Sequence, residues 1–319
     1  MRNVIVGFVG IVVILGAGLA GLAASLGVQR GDMNGDGALN PVDVVMLVQY
    51  LYLQGPAPDP VWRADANCDS RSNLADVSVM FNYIYRTGTP PCDGGFALKF
   101  DGTNDLAEIG FNPAFNADAY TIEAWINIAE PQVDYISSIV DRWTFDAATQ
   151  VWALWLMNGE DYMLRSGSGG SNTAGELTAG FLYPGRWHHV AYTRDVGGME
   201  RLFIDGIQVG QHQFAAGYTL AGTPIRLGHS NGGTLRAFYG MIDEVRLWNV
   251  ARSGTAIAAT MNTLLTGVEP GLVGYWNFDE GWGDTFGDLS PTGAVGRLGK
   301  IAGADDNDPK WVLSTIPVH

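Results

Sequence analysis

Two stretches of the chain set side-chain oxygens at a spacing that suits a hard cation. Asp32, Asn34, Asp36, Asn40 and Asp43 occupy positions 1, 3, 5, 9 and 12 of one run. Asp65, Asn67, Asp69, Asn73 and Asp76 occupy the same positions 33 residues later. Main-chain carbonyls at position 7, from Ala38 and Arg71, would complete each set. Calcium takes about six to eight oxygens and is held by EF-hand loops with this alternation, whereas zinc prefers nitrogen and sulfur. The alternative is a pair of Asp/Asn-rich turns capping two helices, because these side chains also accept from helix N-terminal N–H groups. That alternative leaves five matching oxygens in two copies unaccounted for.

The elements around the runs follow from period and punctuation. Each run leads into an apolar stretch of helical period, Val44 to Leu51 and Val77 to Tyr85, closed by Gly55 and Gly88 with prolines beyond. No helical pattern precedes either loop, so each copy reads as a loop with one exiting helix. Ser70 stands in the second copy where the first has Gly37, at the position of the sharp turn. With these duplicated loop-helix repeats, residues 30 to 90 resemble the dockerin module. The resemblance implies two bound calcium ions and a cohesin-like partner. In that family the pair before the last ligand helps choose the partner; here the pairs are Pro41-Val42 and Leu74-Ala75, apolar where well-known cellulosomal members carry hydroxyls.

Ahead of the module, Arg2 precedes an uncharged, mostly apolar stretch from Val4 to Val28 that ends in small residues. It reads as an export signal with a small-x-small cleavage site, or as a retained membrane anchor, since it is long enough to span a bilayer. Gly16, Gly18 and Gly21 match a dinucleotide fingerprint, but the acid that should follow on a second strand, Asp36, lies in the first oxygen-rich loop. In an exported chain the only cysteines, Cys68 and Cys92, read as a disulfide, worth about 3 kcal/mol by loop closure. Thirty-three acids against 18 Lys and Arg give a net charge of −15, which argues against nucleic acid as a partner. A 47% hydrophobic and 16% charged composition excludes wholesale disorder.

From Phe96 onward, short aromatic and β-branched runs alternate with turns, as in Tyr120 to Ile128 and Met241 to Trp248. Asp205-Gly206, between two such runs, predicts a two-residue hairpin, and residues 151–157, apolar on both parities, predict a strand buried on both faces. The motifs Phe100 to Asp105, Thr121 to Trp125, Trp187 to Ala191, Leu202 to Gly206, Gly240 to Trp248 and Gly271 to Asp279 resemble, in order, the laminin-G-like group of concanavalin A-type jelly rolls. The resemblance implies an antiparallel sandwich and leaves the ligand open, because function resides in sites rather than folds.

Catalytic chemistry is sparse. The E-x-D-x-E strand of sugar-cleaving jelly rolls is missing, and Asp243-Glu244 would point to opposite faces of a regular strand. His188-His189 cannot chelate one ion from a strand, and no G-x-S-x-G elbow occurs. Trp143 and Trp282, in polar or Gly-rich surroundings, are the candidate stacking platforms for a sugar. Asp101, Asn104 and Asp243 offer a structural calcium site, with an Asx turn at Asp101 as the alternative.

The sequence therefore predicts a mainly β protein: an export signal or anchor over 1–28, a small helical dockerin-like module with two calcium loops over 29–93, and a laminin-G-like jelly-roll sandwich over 94–319. The expected role is that of a secreted or cell-surface, non-catalytic protein that docks through one module and binds carbohydrate or another extracellular ligand through the other. A polysaccharide hydrolase of the same superfamily and a membrane-anchored structural protein are the rivals.

Overall fold

Asn40 and Asn73 start the two longer helices of the N-terminal part. In the computed structural model, which describes residues 30–59, 61–66, 72–86, 91, 95–143, 151–159, 161–168, 176–214, 222–230, 236–281, 283–299 and 306–316, these are α1 (Pro41–Tyr52) and α2 (Leu74–Tyr85). The Asn40 side chain accepts from Val42 N at 2.9 Å while Asp43 accepts from Asn40 N at 3.0 Å. Asn73 and Asp76 repeat this capping box, with Ala75 N and Asn73 N donating at 2.8 Å. Such boxes satisfy donors that a helix start leaves open. α1 leaves helical geometry at Leu53, and Gly55 N returns to Gln49 O at 2.9 Å, so the glycine closes the helix from three residues beyond its end. Val44, Leu47 and Met80 meet Met33, Ala64 and Ala66 in a small core, Ala64 coming from a 3-10 turn at Val61–Ala64.

The chain divides into two compact units, Met1–Gly94 and Gly95–His319. Residues 1–28, Cys68, Cys92 and Gly88 lie outside the described residues. Among the described residues, no helix is long and apolar enough to cross a membrane.

The second unit is a sandwich of two antiparallel eight-stranded sheets. The first sheet contains β1 (Phe96–Asp101), β3 (Tyr120–Ile128), β8 (Trp187–Arg194), β9 (Met199–Ile204), β10 (Ile207–Gln213), β12 (Tyr239–Trp248), β13 (Leu272–Trp276) and β16 (Lys310–Leu313). They run in the order β10-β9-β8-β3-β12-β1-β16, with β13 paired to the far end of β12. The second sheet contains β2 (Ala107–Ile109), β4 (Ile136–Asp141), β5 (Trp152–Met157), β6 (Tyr162–Ser168), β7 (Glu176–Leu182), β11 (Ile225–Leu227), β14 (Thr285–Phe286) and β15 (Gly296–Leu298), ordered β14-β15-β2-β11-β4-β5-β6-β7.

Period two decides what lies between the sheets. Ile122, Ala124, Ile126 and Ile128 of β3 face Trp152, Leu154 and Leu156 of β5 in one core with Leu164, Val190, Tyr192 and Leu202. The residues of opposite parity on β3 are buried too, because helix α3 (Gly254–Thr260) and the segment after it lie over that face. Trp125 Nε1 donates to Met261 O at 2.9 Å, and Arg246 reaches Thr260 O and Thr263 O at 2.9 and 2.8 Å. Glu123, fully buried on this face, is paired with Arg252 and lies 3.4 Å from His189. β5 is buried on both faces, and the hairpin at Asp205-Gly206 forms with both residues at positive φ, +50° and +76°, as a type I′ turn requires.

One carboxyl lies among the inward-facing positions. Glu200 on β9 is fully buried and 3.4 Å from Arg194. Burial pushes its carboxyl up to about 7 from the ordinary 4.5, against the pull of Ser168, Tyr192 and Arg194. The folded chain thus holds this proton more tightly than the unfolded chain. Stability is therefore greatest below about pH 4.5 for this group and is lost as pH rises toward 7. Glu200→Gln is expected to flatten this part of the pH profile and to raise the melting temperature at pH 8 by a few degrees in calorimetry, at about 2–4 °C per kcal/mol for a unit of this size.

Candidate functional site

The first oxygen-rich loop is built around two buried carboxylates. Asp32 is 1% and Asp43 0% exposed. Asp32 Oδ1 accepts from Gly35 N at 2.8 Å and Asp36 N at 3.2 Å, and Oδ2 accepts from Gly37 N at 3.0 Å. Asp43 Oδ1 accepts from Met33 N at 2.9 Å. Burial, with the Asp32 charge beside it, pushes the Asp43 carboxyl above the ordinary carboxylate range. Asn34 Oδ1 accepts from Asp36 N at 2.9 Å, Asp36 accepts from Ala38 N at 2.9 Å, and Asn40 Nδ2 donates to Ala38 O at 3.1 Å. Gly35 and Gly37 take φ of +74° and +80°, the left-handed values that fold the loop back on itself.

The loop's donor set is all oxygen, two carboxylates of it already buried, which fits a hard cation such as calcium. Among the described residues no group of three or more His, Cys, Asp or Glu is placed to hold a metal ion; the carboxylates of Asp32 and Asp43 accept from main-chain N–H groups instead. In the second loop Asp65, Asn73 and Asp76 are described, with Asp65 and Asp76 4% and 0% exposed; Asn67, Asp69 and Arg71 lie outside the described residues.

Two arginines tie the loops together. Arg30 Nη1 lies 3.2 Å from Asp65 Oδ2, and Arg63 Nη1 lies 3.9 Å from Asp32 Oδ2. Burial pulls the Arg30 guanidinium below its usual value, opposed by Asp65 and Asp76.

In the sandwich, the structure corrects one aromatic expectation. Trp143 is 5% exposed and packs edge-to-face on Trp155 with ring centroids 5.0 Å apart, while Arg236 covers Trp155 at 4.8 Å. Gly167 makes this possible, since a Cβ there would lie 3.0 Å from Trp155 and 3.4 Å from Trp143. Trp143 offers no open face for a sugar. Trp282 lies outside the described residues.

The proposed third oxygen set does not assemble. Asp101 pairs opposite Tyr239, and Asp243 lies four residues further along β12, some ~13 Å away at the strand rise. Asp101 Oδ1 accepts from Thr103 N at 2.7 Å in an Asx turn, Asn104 Nδ2 donates to Asp306 O at 2.8 Å, and Asp243 accepts from Ser314. Asp243 and Glu244 do not alternate as a regular strand would place them. The register with β3 shifts after Asp243, Glu244 takes φ of +52°, and both are buried, Glu244 accepting from Tyr275 Oη at 2.8 Å. His188 Nδ1 is 2.8 Å from Asp205, whereas His189 turns to Glu123.

Comparison with known families decides what these units are. The model of the dockerin type I domain matches residues 30–85, and that of the concanavalin A-like lectin/glucanases superfamily matches residues 101–258. The chain carries a dockerin type I domain followed by a concanavalin A-like domain. Among solved structures, a candidate carbohydrate-binding protein from Bacteroides ovatus superposes with a TM-score of 0.55 at 21% identity, over 73% of this chain and 63% of its own. The chain thus spans less than two thirds of that protein. A heptameric pentraxin of Limulus polyphemus reaches 0.39 at 14% identity, over 52% of this chain and 82% of its own. Domain 4 of an extracellular arabinanase of Geobacillus stearothermophilus, in complex with arabinotriose, reaches 0.39 at 20% identity, over 51% of this chain and 75% of its own. At these identities the likeness is one of fold. No curated protein matches the chain.

In the dockerin domain, Arg30 and Arg63 were missed by a reading confined to oxygen ligands, although the repeat spacing of 33 that aligns the loops also aligns them. Gly35 accommodates the second of these arginines: a Cβ there would meet Arg63 Nη1 at 2.5 Å. At Gly37 a Cβ would meet nothing within 4 Å. Gly35→Ala is therefore expected to destabilise the dockerin domain by about 1–2 kcal/mol and Gly37→Ala by less, through its φ alone, when amide exchange over residues 30–86 is measured in each variant.

Proposed function

We propose that this is an exported, non-catalytic protein whose dockerin domain binds two calcium ions and a cohesin-type partner and whose concanavalin A-like domain binds carbohydrate. Calcium is held by Asp32, Asn34, Asp36, Asn40, Asp43 and the Ala38 carbonyl in one loop. Asp65, Asn67, Asp69, Asn73, Asp76 and the Arg71 carbonyl hold it in the other. The observation that carries this reading is the duplicated oxygen loop running into two helices that share one core, with ligand positions 9 and 12 doubling as each helix's capping box. Dockerin type I domains generally bind calcium, and dockerin and laminin-G-like domains are typically extracellular or at the cell surface.

Val42 and Leu74, from the pairs that precede the last ligands, are 52% and 61% exposed, which gives the docking face an apolar character. A partner surface of matching apolar character suits it, since desolvated apolar contacts at the centre of an interface contribute most to affinity. For the sandwich, the carbohydrate reading rests on the fold it shares with the Bacteroides ovatus protein. Trp282 is the aromatic residue proposed to meet the sugar.

Calorimetric titration of the full chain with calcium is expected to show two sites, both lost in Asp32→Ala combined with Asp65→Ala; a chain that takes up no calcium overturns the metal reading. On a glycan array the unaltered chain is expected to retain at least one glycan and Trp282→Ala to lose it. Turnover of an arrayed polysaccharide would overturn the non-catalytic assignment.

A further inference from the structure

Arg30 and Arg63 are separated by the repeat spacing, 33 residues, and each stands two residues ahead of its own oxygen loop. Each guanidinium nevertheless serves the other loop. Arg30 Nη1 donates to Asp65 O at 2.9 Å and to Asp65 Oδ2 at 3.2 Å. Arg63 Nη1 donates to Asp32 O at 3.1 Å and lies 3.9 Å from Asp32 Oδ2. The main chains cross at the same point, where Gly31 N donates to Arg63 O at 2.8 Å.

All four residues are buried, at 4% for Arg30, 8% for Arg63, 1% for Asp32 and 4% for Asp65. Charges taken out of water persist only when paired, and here both acids that open the loops are paired with a cation from the opposite repeat. The stretch from residue 29 to 93 has no lysine, and these are two of its four arginines. The missing Cβ of Gly35 leaves the space that Arg63 occupies.

We propose that Arg30 and Arg63 are internal counter-cations. Each clasps the opening acid of the opposite loop, Arg30 through the Asp65 carbonyl and carboxylate and Arg63 through the Asp32 carbonyl with the carboxylate beside it, supports that loop without a divalent ion, and sets its calcium affinity by its charge next to the same acid. The effect on affinity rests on the calcium reading above; the clasp does not. A guanidinium a few ångströms from a bound calcium ion repels it, so its removal tightens calcium binding and loosens the calcium-free loop. The effect is crossed: Arg63 acts on the loop that starts at Asp32, and Arg30 on the loop that starts at Asp65.

The test uses the full chain. Calcium is titrated by calorimetry into Asp65→Ala, which leaves the first loop, with and without Arg63→Gln, and into Asp32→Ala with and without Arg30→Gln. Amide exchange over residues 30–86 is followed in chelator for Arg30→Gln and Arg63→Gln alone. The expected result is calcium binding tighter by about tenfold at the opposite loop, with faster exchange in chelator that calcium reverses. Unchanged or weaker binding, an effect on the loop each arginine precedes, or unaltered exchange in chelator would overturn the proposal. Should a variant fail to fold in chelator, refolding on addition of calcium supports the clasp, and failure to fold in saturating calcium overturns it. An unaltered chain that binds no calcium removes the metal reading and the effect on affinity, while exchange in chelator still reports the clasp by itself.

Discussion

The sandwich is organised by the requirement that β3 bury both its faces. The inward set, Ile122, Ala124, Ile126 and Ile128, belongs to the inter-sheet core and needs only apolar neighbours. The outward set, Thr121, Glu123 and Trp125, carries polar atoms that are costly to bury without partners. Each partner comes from far along the chain. Thr121 donates to Val250 O at 2.7 Å, Trp125 to Met261 O, and Glu123 takes Arg252. The segment from Val250 to Thr263 is thus held over the sheet by the acceptors and donors of one strand, and Arg246 and Arg252 fix it further through carbonyls of α3 and its C-terminal extension. Buried Glu123, Glu244 and Arg246, with half-buried Arg252 at the rim, form a charged layer whose members depend on one another. Removing one leaves a buried charge unpaired, which is more damaging than exchanging the pair for apolar groups.

The dockerin domain solves a different problem with the same economy of residues. Its carboxylate at the end of the loop must serve the loop and also cap a helix. Asp43 does both from its two oxygens, one accepting from the Met33 amide in the loop and the other from Asn40 N. Loop and helix are therefore one cooperative unit: a change in the loop is felt at the helix start, and through Leu47 and Met80 in the core shared by the two repeats.

What could be read from the chain follows the range of the interaction involved. Local patterns were legible. The capped helices, the Asp205-Gly206 hairpin and the doubly buried β5 follow from periodicity and turn chemistry over fewer than a dozen residues, and the 33-residue repeat from self-similarity. Register and remote pairing were not. Trp143 sits in a polar stretch and reads as exposed, but the pairing of β4 with β5 and the small Gly167 place Trp155 against it. Asp243 and Glu244 read as alternating, but a bulge against β3 turns them otherwise. Asp101 and Asp243 read as candidate oxygens of one calcium site, whereas the pairing of β1 with β12 holds them apart. In the dockerin domain the repeat and the start of each helix were legible, while the arginine cross-pairing required knowing that the two repeats face one another.

The two glycines that bring the sheets together at one side have a further consequence. A Cβ at Gly210 on β10 would lie 2.5 Å from Ala179 on β7, and one at Gly180 would lie 2.8 Å from Val209. These are the outermost strands of opposite sheets, so along this side the two rims are pressed against each other. An outermost strand is ordinarily a template on which a foreign chain can add its own strand and begin an aggregate. Here an intruder would first have to prise one rim from the other. Side chains larger than hydrogen at these two positions would wedge the rims open and turn a sealed seam into a point of entry.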